Sequence, residues 1–441
     1  MVRNQESQGK MEKKVLIITY YWPPSGGSGV QRWLKFVKYL PEFGWEPYVF
    51  TPENPSFAIR DESLLSDVSP SAEVLKLPIW EPYDIFIRLS ALTGNKKRES
   101  KPTSLMSGGS LFQTVSTWIR GNLFIPDPKC FWVKPSVGFL TDFVKDNHIG
   151  TVITTGPPHS MHLIGYKLKK NLPSLRWIAD FRDPWSEWGF LDSIRAGSFA
   201  RSIHRRMEAR VLKSADKLIT ITPFYARKFN ALAGRRVNLI TNGFDEDDFA
   251  DIRYSRSPYF MIRHVGIVNE LCNPRPFMAA LRRLTERNYE FSDRVRMEFI
   301  GEVHPSFRTE VEADPVLNRF TLFMGNMPFT ELLPRYGDSS LLLLVLHGYK
   351  DAEGYMPGKL FEYLATGITV LGIGPAAGDA AQLLKESRAG EMVEADDTEA
   401  IERYLASEFE LWKQGKTRKQ LNDAVKQYSR RELTRSLVAL L

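Results

Sequence analysis

The chain has 441 residues, 43% hydrophobic and 25% charged, with 59 Lys and Arg against 52 Asp and Glu. That length exceeds the roughly 250 residues that one core organises, and the composition excludes a disordered or fibrous chain, so two globular domains are expected. The net charge of +7 is a mild excess suited to phosphate-bearing partners or an anionic membrane surface; no nucleic-acid partner is expected.

In chain order, the polar opening MVRNQESQGK lacks the apolar stretch of a signal peptide and reads as a disordered leader before Met11. Val15 Leu16 Ile17 Ile18 Thr19 predicts a strand. The turn-rich Pro23 Pro24 Ser25 Gly26 Gly27 Ser28 Gly29 follows, then a helix with Val30, Trp33, Leu34, Val37 and Leu40 on one face. Buried-strand runs recur at 47–50, 152–155, 177–181 and 218–221. After Thr241 Asn242 Gly243 Phe244 Asp245 the same grammar restarts, with runs at 262–265, 297–300, 321–323, 341–346 and 369–371. Apolar strands alternating with helices predict parallel sheets covered on both faces. The chain therefore reads as α/β, two Rossmann-like doubly wound halves over 11–235 and 236–423 facing a central cleft, where ligands are expected.

The longest aliphatic run, Leu341 to Leu346, falls far short of the roughly 20 residues that span a bilayer. The two cysteines, Cys130 and Cys272, have no zinc-like spacing and read as reduced thiols, so a cytoplasmic location is expected.

One stretch departs from the pattern. Residues 78–143 mix Trp80, Tyr83, Phe86, Leu111, Phe112, Trp118, Phe124, Phe131 and Trp132 with Lys96 Lys97 Arg98, Arg120, Lys129 and Lys134, and Thr93 to Gly109 is polar and looks flexible. Rings interleaved with cations suit a segment lying at a membrane interface; an insertion packed on the first domain would carry the same residues.

Four motifs could carry chemistry. Gly26 and Gly27 lie at a strand-to-helix turn where backbone can approach phosphate, although neither a dinucleotide nor a Walker spacing is present, and a plain turn reads equally well. His159, in Thr155 Gly156 Pro157 Pro158 His159 Ser160 after a strand, can bond a sugar hydroxyl or be structural. Asp180 Phe181 Arg182 Asp183 Pro184 Trp185 offers a rim for polyhydroxyl ligands, or an internal salt bridge. The last, Glu353 to Gly367, is the most specific. Pro357 and Gly358 open a helix whose free N–H groups and Lys359 suit a diphosphate, with Glu362 one turn on; Lys359 and Glu362 could instead pair on the helix surface.

In combination these motifs, with Asn242 Gly243 Phe244 Asp245, resemble the group-1, or family 4, glycosyltransferases of the GT-B fold, in their bacterial surface-polysaccharide members, over nearly the whole chain from Met11. The resemblance implies a retaining transferase that moves a sugar from a nucleotide diphosphate donor, held by the C-terminal half, to a lipid-linked oligosaccharide or polysaccharide precursor held by the N-terminal half, with no metal or other cofactor. It places Gly26 and Gly27 near the donor phosphates, His159 at the transferred sugar or acceptor, Lys359 on the diphosphate, Glu362 on the ribose and Gly325 with Asn326 at the base. Arg182 and Asp183 would line the acceptor side. Residues 424–441 would form a helix crossing back to the first domain, and the enzyme would be cytoplasmic, peripheral on the inner face of the membrane.

Two positions depart from the family. Its two glutamates eight residues apart would fall at Glu362 and 354, where this chain has Gly354; Glu353 next to it is the candidate for that catalytic role through a loop shift, or the role is absent. Its phosphate-binding cations after the first C-terminal strand reduce here to Arg275. A sugar-nucleotide epimerase and a non-catalytic nucleotide-sugar-binding component of a polysaccharide assembly are the alternative readings.

Overall fold

The computed structural model describes residues 13–57, 59–82, 111–187, 190–346, 348, 351–416 and 423–441. Tyr83, Phe86, the Lys96 to Arg98 cluster and the Thr93 to Gly109 stretch lie outside the described residues. The chain divides into two compact units. The first takes in the chain to Ile221, Tyr225–Ile240 and Thr434–Leu441; the second takes in Thr222–Phe224 and Thr241–Leu433.

The first unit carries a seven-stranded parallel sheet. Its strands are β1 (Lys14–Ile18), β2 (Glu46–Pro52), β3 (Glu73–Leu77), β4 (Thr151–Gly156), β5 (Arg176–Phe181), β6 (Lys217–Thr220) and β7 (Asn238–Leu239). They run in the order β3-β2-β1-β4-β5-β6-β7. Direction of travel reverses between β1 and β4, the topological switch at which an open α/β sheet binds ligands beyond its carboxyl ends. Val15, Leu16, Ile17 and Ile18 are fully buried, because helices cover both faces and the strand has no polar side. Helix α1 (Ser28–Tyr39) follows the glycine loop and buries Val30, Trp33, Leu34 and Val37.

The 78–143 stretch divides. Helix α2 (Leu111–Asn122) is followed by α3 (Val133–Asp146), and Trp132, just before α3, stacks on Phe50 of β2 at 4.7 Å and 8°. That part is ordinary core. Trp80, Trp118, Leu123 and Phe131 are exposed. Helices α4 (Ser160–Asn171) and α5 (Ser198–Ser214) follow β4 and β5, and Arg176 donates to the carbonyl of Leu441 at 2.7 Å.

The second unit repeats the plan with six parallel strands in the order β10-β9-β8-β11-β12-β13. These are β8 (Phe260–Val265), β9 (Val295–Ile300), β10 (Thr321–Gly325), β11 (Leu341–Val345), β12 (Val370–Ile373) and β13 (Gly390–Val393). The uninterrupted leucine run of β11 is explained by its two faces. Leu341, Leu343 and Val345 enter one core and Leu342, Leu344 and Leu346 the other, the period-two alternation of a central strand buried on both sides. Around the sheet lie α6 (Arg275–Arg287), α7 (Pro305–Ala313), α8 (Gly358–Thr366) and α9 (Thr398–Lys413). The last helix, α10 (Arg430–Val438), has its residues from Thr434 onward in the first unit.

The expected α/β architecture is therefore present in both units. No helix among the described residues is long and apolar enough to cross a membrane.

Candidate functional site

In the first unit the candidate residues gather at the carboxyl ends of β1, β4 and β5. Gly26 donates its N–H to the Ile59 carbonyl at 3.0 Å, and Gly27 takes the N-cap position of α1. His159 precedes α4, buried, with its ring parallel to that of Trp185 at 4.8 Å and 2°. Neither of its ring nitrogens has a hydrogen-bond partner among the described residues. Burial, with His162, His204 and Arg182 nearby, holds its pKa well below the ordinary value. His159 is thus neutral at pH 7, with one nitrogen to donate and one to accept, the complement of a hydroxyl.

The Asp180 to Trp185 motif resolves into three roles. Asp180 is buried and accepts from Arg32, Trp33 and Thr155; it forms the internal salt bridge, with Arg32 as its partner. Arg182 donates to the carbonyls of Gly29, Gly156 and Pro157, so the cation expected on the acceptor holds the glycine loop and the His159 loop together. Asp183 is half-buried, and burial raises its carboxyl pKa. Sequence reasoning missed Asp127, which accepts from the Ser160 N–H at 2.9 Å and hydroxyl at 2.8 Å and so caps α4 beside His159. The two residues are 33 positions apart, beyond the reach of any local capping signal.

In the second unit, Pro357 is the N-cap residue of α8 and Gly358 its first residue. The helix buries Leu360, Phe361, Tyr363 and Leu364, and the Tyr363 hydroxyl accepts from the Val265 N–H at 2.8 Å. This anchors α8 at the end of β8 with Lys359 and Glu362 half-buried. No hydrogen bond or ion pair engages either side chain among the described residues, so the surface pairing open to them in sequence is not formed. Burial lowers the Lys359 pKa to about 8 and raises that of Glu362 to about 7. Gly266, just past β8, has φ +126° and is the residue sequence reasoning overlooked; a Cβ there would sit 3.1 Å from the Lys359 ammonium. The positive φ favours glycine, and a side chain there would crowd the ammonium. His264, buried beneath, bonds the Leu343 carbonyl at 3.0 Å and stays neutral through burial and the Lys359 charge.

The remaining candidates do not converge on Lys359. Arg275, the first residue of α6, pairs with Glu310 at 2.5 Å. Gly325 ends β10, and Asn326 beyond it is exposed. Glu353 is exposed in the turn before α8. At position 354 a Cβ would lie 2.3 Å from the Phe224 ring, which physically excludes the family's glutamate. Gly354→Glu is expected to lose about 1–3 kcal/mol by overpacking; an unchanged denaturation midpoint would remove this explanation.

No protein-family model matches the sequence, and no curated protein does. Solved structures match over almost the whole chain. A glycosyltransferase from Rickettsia africae is 13% identical with a TM-score of 0.64, covering 97% of each chain. WaaG, a glycosyltransferase involved in lipopolysaccharide biosynthesis, is 13% identical with a TM-score of 0.54, covering 97% of this chain and 99% of its own. A Listeria monocytogenes protein described as a UDP-N-acetylglucosamine 2-epimerase is 11% identical with a TM-score of 0.56, covering 97% of this chain and 95% of its own. The two-sheet fold is that of GT-B glycosyltransferases, and the epimerase shares it.

Proposed function

We propose that this chain is a retaining glycosyltransferase that moves a sugar from a nucleotide diphosphate donor to a lipid-linked oligosaccharide or polysaccharide precursor, working against the cytoplasmic face of a membrane. The observation that carries the reading is the opening turn of α8. A lysine and a carboxylate, half-buried and unpaired, stand beside free helix N–H groups at the end of β8. An unpaired, partly desolvated cation is unfavourable to folding, and a ligand phosphate would supply the missing partner.

In this reading Lys359 and the first N–H groups of α8 meet the charge that grows on the departing diphosphate. Glu362 accepts from the ribose hydroxyls, and neutral His159 bonds a sugar hydroxyl. The names of the similar structures support a sugar-nucleotide donor and, through WaaG, a lipid-borne acceptor. No metal is invoked, because Lys359 and the helix terminus provide the positive charge.

Release of nucleoside diphosphate from a sugar nucleotide only when lipid acceptor is present is the expected result. Acceptor-independent conversion of the donor would select the epimerase instead, and donor binding without turnover would select a binding component.

Donor affinity should depend on pH with two limbs. Glu362 must lose its proton to accept from ribose, so affinity rises through about 7; Lys359 must keep its own, so affinity falls above about 8. Glu362→Gln should abolish the acid limb and Lys359→Arg should carry the alkaline limb upward, both read by calorimetry. A flat profile in the wild-type protein would count against both assignments.

A further inference from the structure

We infer that the outer face of α5 is a docking surface for an anionic lipid bilayer, a surface separate from the 78–143 stretch. The inference rests on the membrane-associated part of the proposed function and adds a location to it.

Helix α5 turns Ala200, His204, Glu208, Val211 and Leu212 inward. Phe199, Arg206, Arg210 and Lys213 recur at helical spacing on the opposite side, all exposed, with Arg205 flanking them. Phe199 is 76% exposed. No carboxylate shares that face: Glu208 is the helix's one acid, and it is buried, accepting from Ser186 and from the Trp185 N–H. Among the described residues none of Arg205, Arg206, Arg210 and Lys213 has an ion-pair or hydrogen-bond partner. An ordinary solvated helix in this chain looks different. In the second unit Arg282 pairs with Glu286 and Asp314, Arg287 with Glu402, Arg308 with Glu312 and Lys413 with Glu290 and Glu410.

The apolar end of the stripe adjoins the exposed part of the 78–143 stretch. The Asn122 side chain donates to the Arg195 carbonyl at 3.1 Å and accepts from the Gly197 N–H at 2.9 Å, so the end of α2 is fastened to the start of α5. Exposed Trp118, Leu123 and Phe199 thereby lie on joined segments, with the cations leading away along α5. Rings that enter the headgroup layer beside a row of unpaired cations match an anionic leaflet.

The test uses the full chain and two kinds of vesicle, one of phosphatidylcholine alone and one of equal parts phosphatidylglycerol and phosphatidylcholine. Wild-type protein should sediment with the anionic vesicles only, and less as salt is raised. The triple variant Arg206→Gln, Arg210→Gln, Lys213→Gln should bind them at least tenfold more weakly, with unchanged thermal stability because all three side chains are exposed, and with unchanged donor binding. Binding of that variant equal to wild type, or equal binding of wild type to both vesicles, overturns the inference. Trp118→Ser tests the 78–143 stretch separately: loss of binding in that variant alone keeps the membrane reading and removes α5 from it. Wild-type protein that binds neither vesicle removes both, and donor calorimetry then decides the transferase reading independently.

Discussion

Lys359→Ala is expected to lower kcat/KM for the sugar-nucleotide donor by about a hundredfold to a thousandfold, the scale of removing one fixed charge stabiliser from a water-excluded site. The ammonium stands where Gly266, having no Cβ, leaves room for it, and no hydrogen bond or ion pair within the described residues engages it, although the Glu362 charge acts on it. Its energy of interaction is therefore available to a ligand. Stability should move the other way. Folding lowers the Lys359 pKa to about 8, below the unfolded value near ~10.4, so folding disfavours its charged form. Lys359→Met, which keeps the apolar stem, should raise the denaturation midpoint at neutral pH. That gain should shrink as pH climbs from about 8 towards ~10.4, where both states are neutral. Parallel loss of donor affinity and gain in stability identifies a binding group. Loss of both would mean that Lys359 is structural, and wild-type kcat/KM in Lys359→Ala would remove it from the site.

What could be read in advance followed burial. Strands buried on both faces, such as β1 and β11, announce themselves as aliphatic runs, and the predicted segments fall on them. The strands that escaped notice are at or near sheet edges. β3 is Glu-Val-Leu-Lys-Leu, partly exposed along its length; β7 has two residues; and β13 opens on Gly390 and Glu391. An edge strand is paired on one side alone, so its sequence is less constrained. At the candidate site, local features were legible: the Pro357 and Gly358 entry to α8, and His159 after its strand. Long-range ones were not. That Arg182 would turn to the Gly29 and Pro157 carbonyls, or that Phe224 would close position 354, depends on segments more than 100 residues away in two of the three cases and has no trace in local pattern. Charges were the hardest to read, because composition does not say which partner a charge will find. The chain places Asp180 against Arg32, Arg275 against Glu310, and Lys359 against no partner within the described residues.

The largest loss of stability is expected from breaking the Asp180 pair. Its carboxylate is fully buried and accepts from Arg32 Nε at 3.1 Å and Nη2 at 3.0 Å, Trp33 Nε1 at 2.8 Å and Thr155 Oγ1 at 3.1 Å. Burial alone would raise its pKa; Arg32, Arg182 and the donated bonds outweigh it, and the carboxyl sits below its ordinary value. Asp180→Asn keeps the shape but takes from the buried Arg32 guanidinium the carboxylate it pairs with at 3.0 Å, while its bond to the Ile240 carbonyl at 2.9 Å remains. Removing one partner from a buried pair costs about 3–5 kcal/mol. Among the described residues every tryptophan except Trp412 lies in the first unit, so tryptophan emission during denaturant unfolding reads this loss directly. A carboxyl with a lowered folded-state pKa adds stability above its unfolded value near ~3.9, and that contribution fades as pH falls through the folded value. The gap between wild type and Asp180→Asn should therefore narrow in acid and stay constant from pH ~5 upward. Arg32→Met with Asp180→Leu removes both charges together and should be less damaging than either single change, although Trp33 and Thr155 then lose their acceptor. A loss below about 1 kcal/mol in Asp180→Asn, the scale of a solvent-exposed pair, would show that this pair does not tie α1 to β5 beneath the His159 loop.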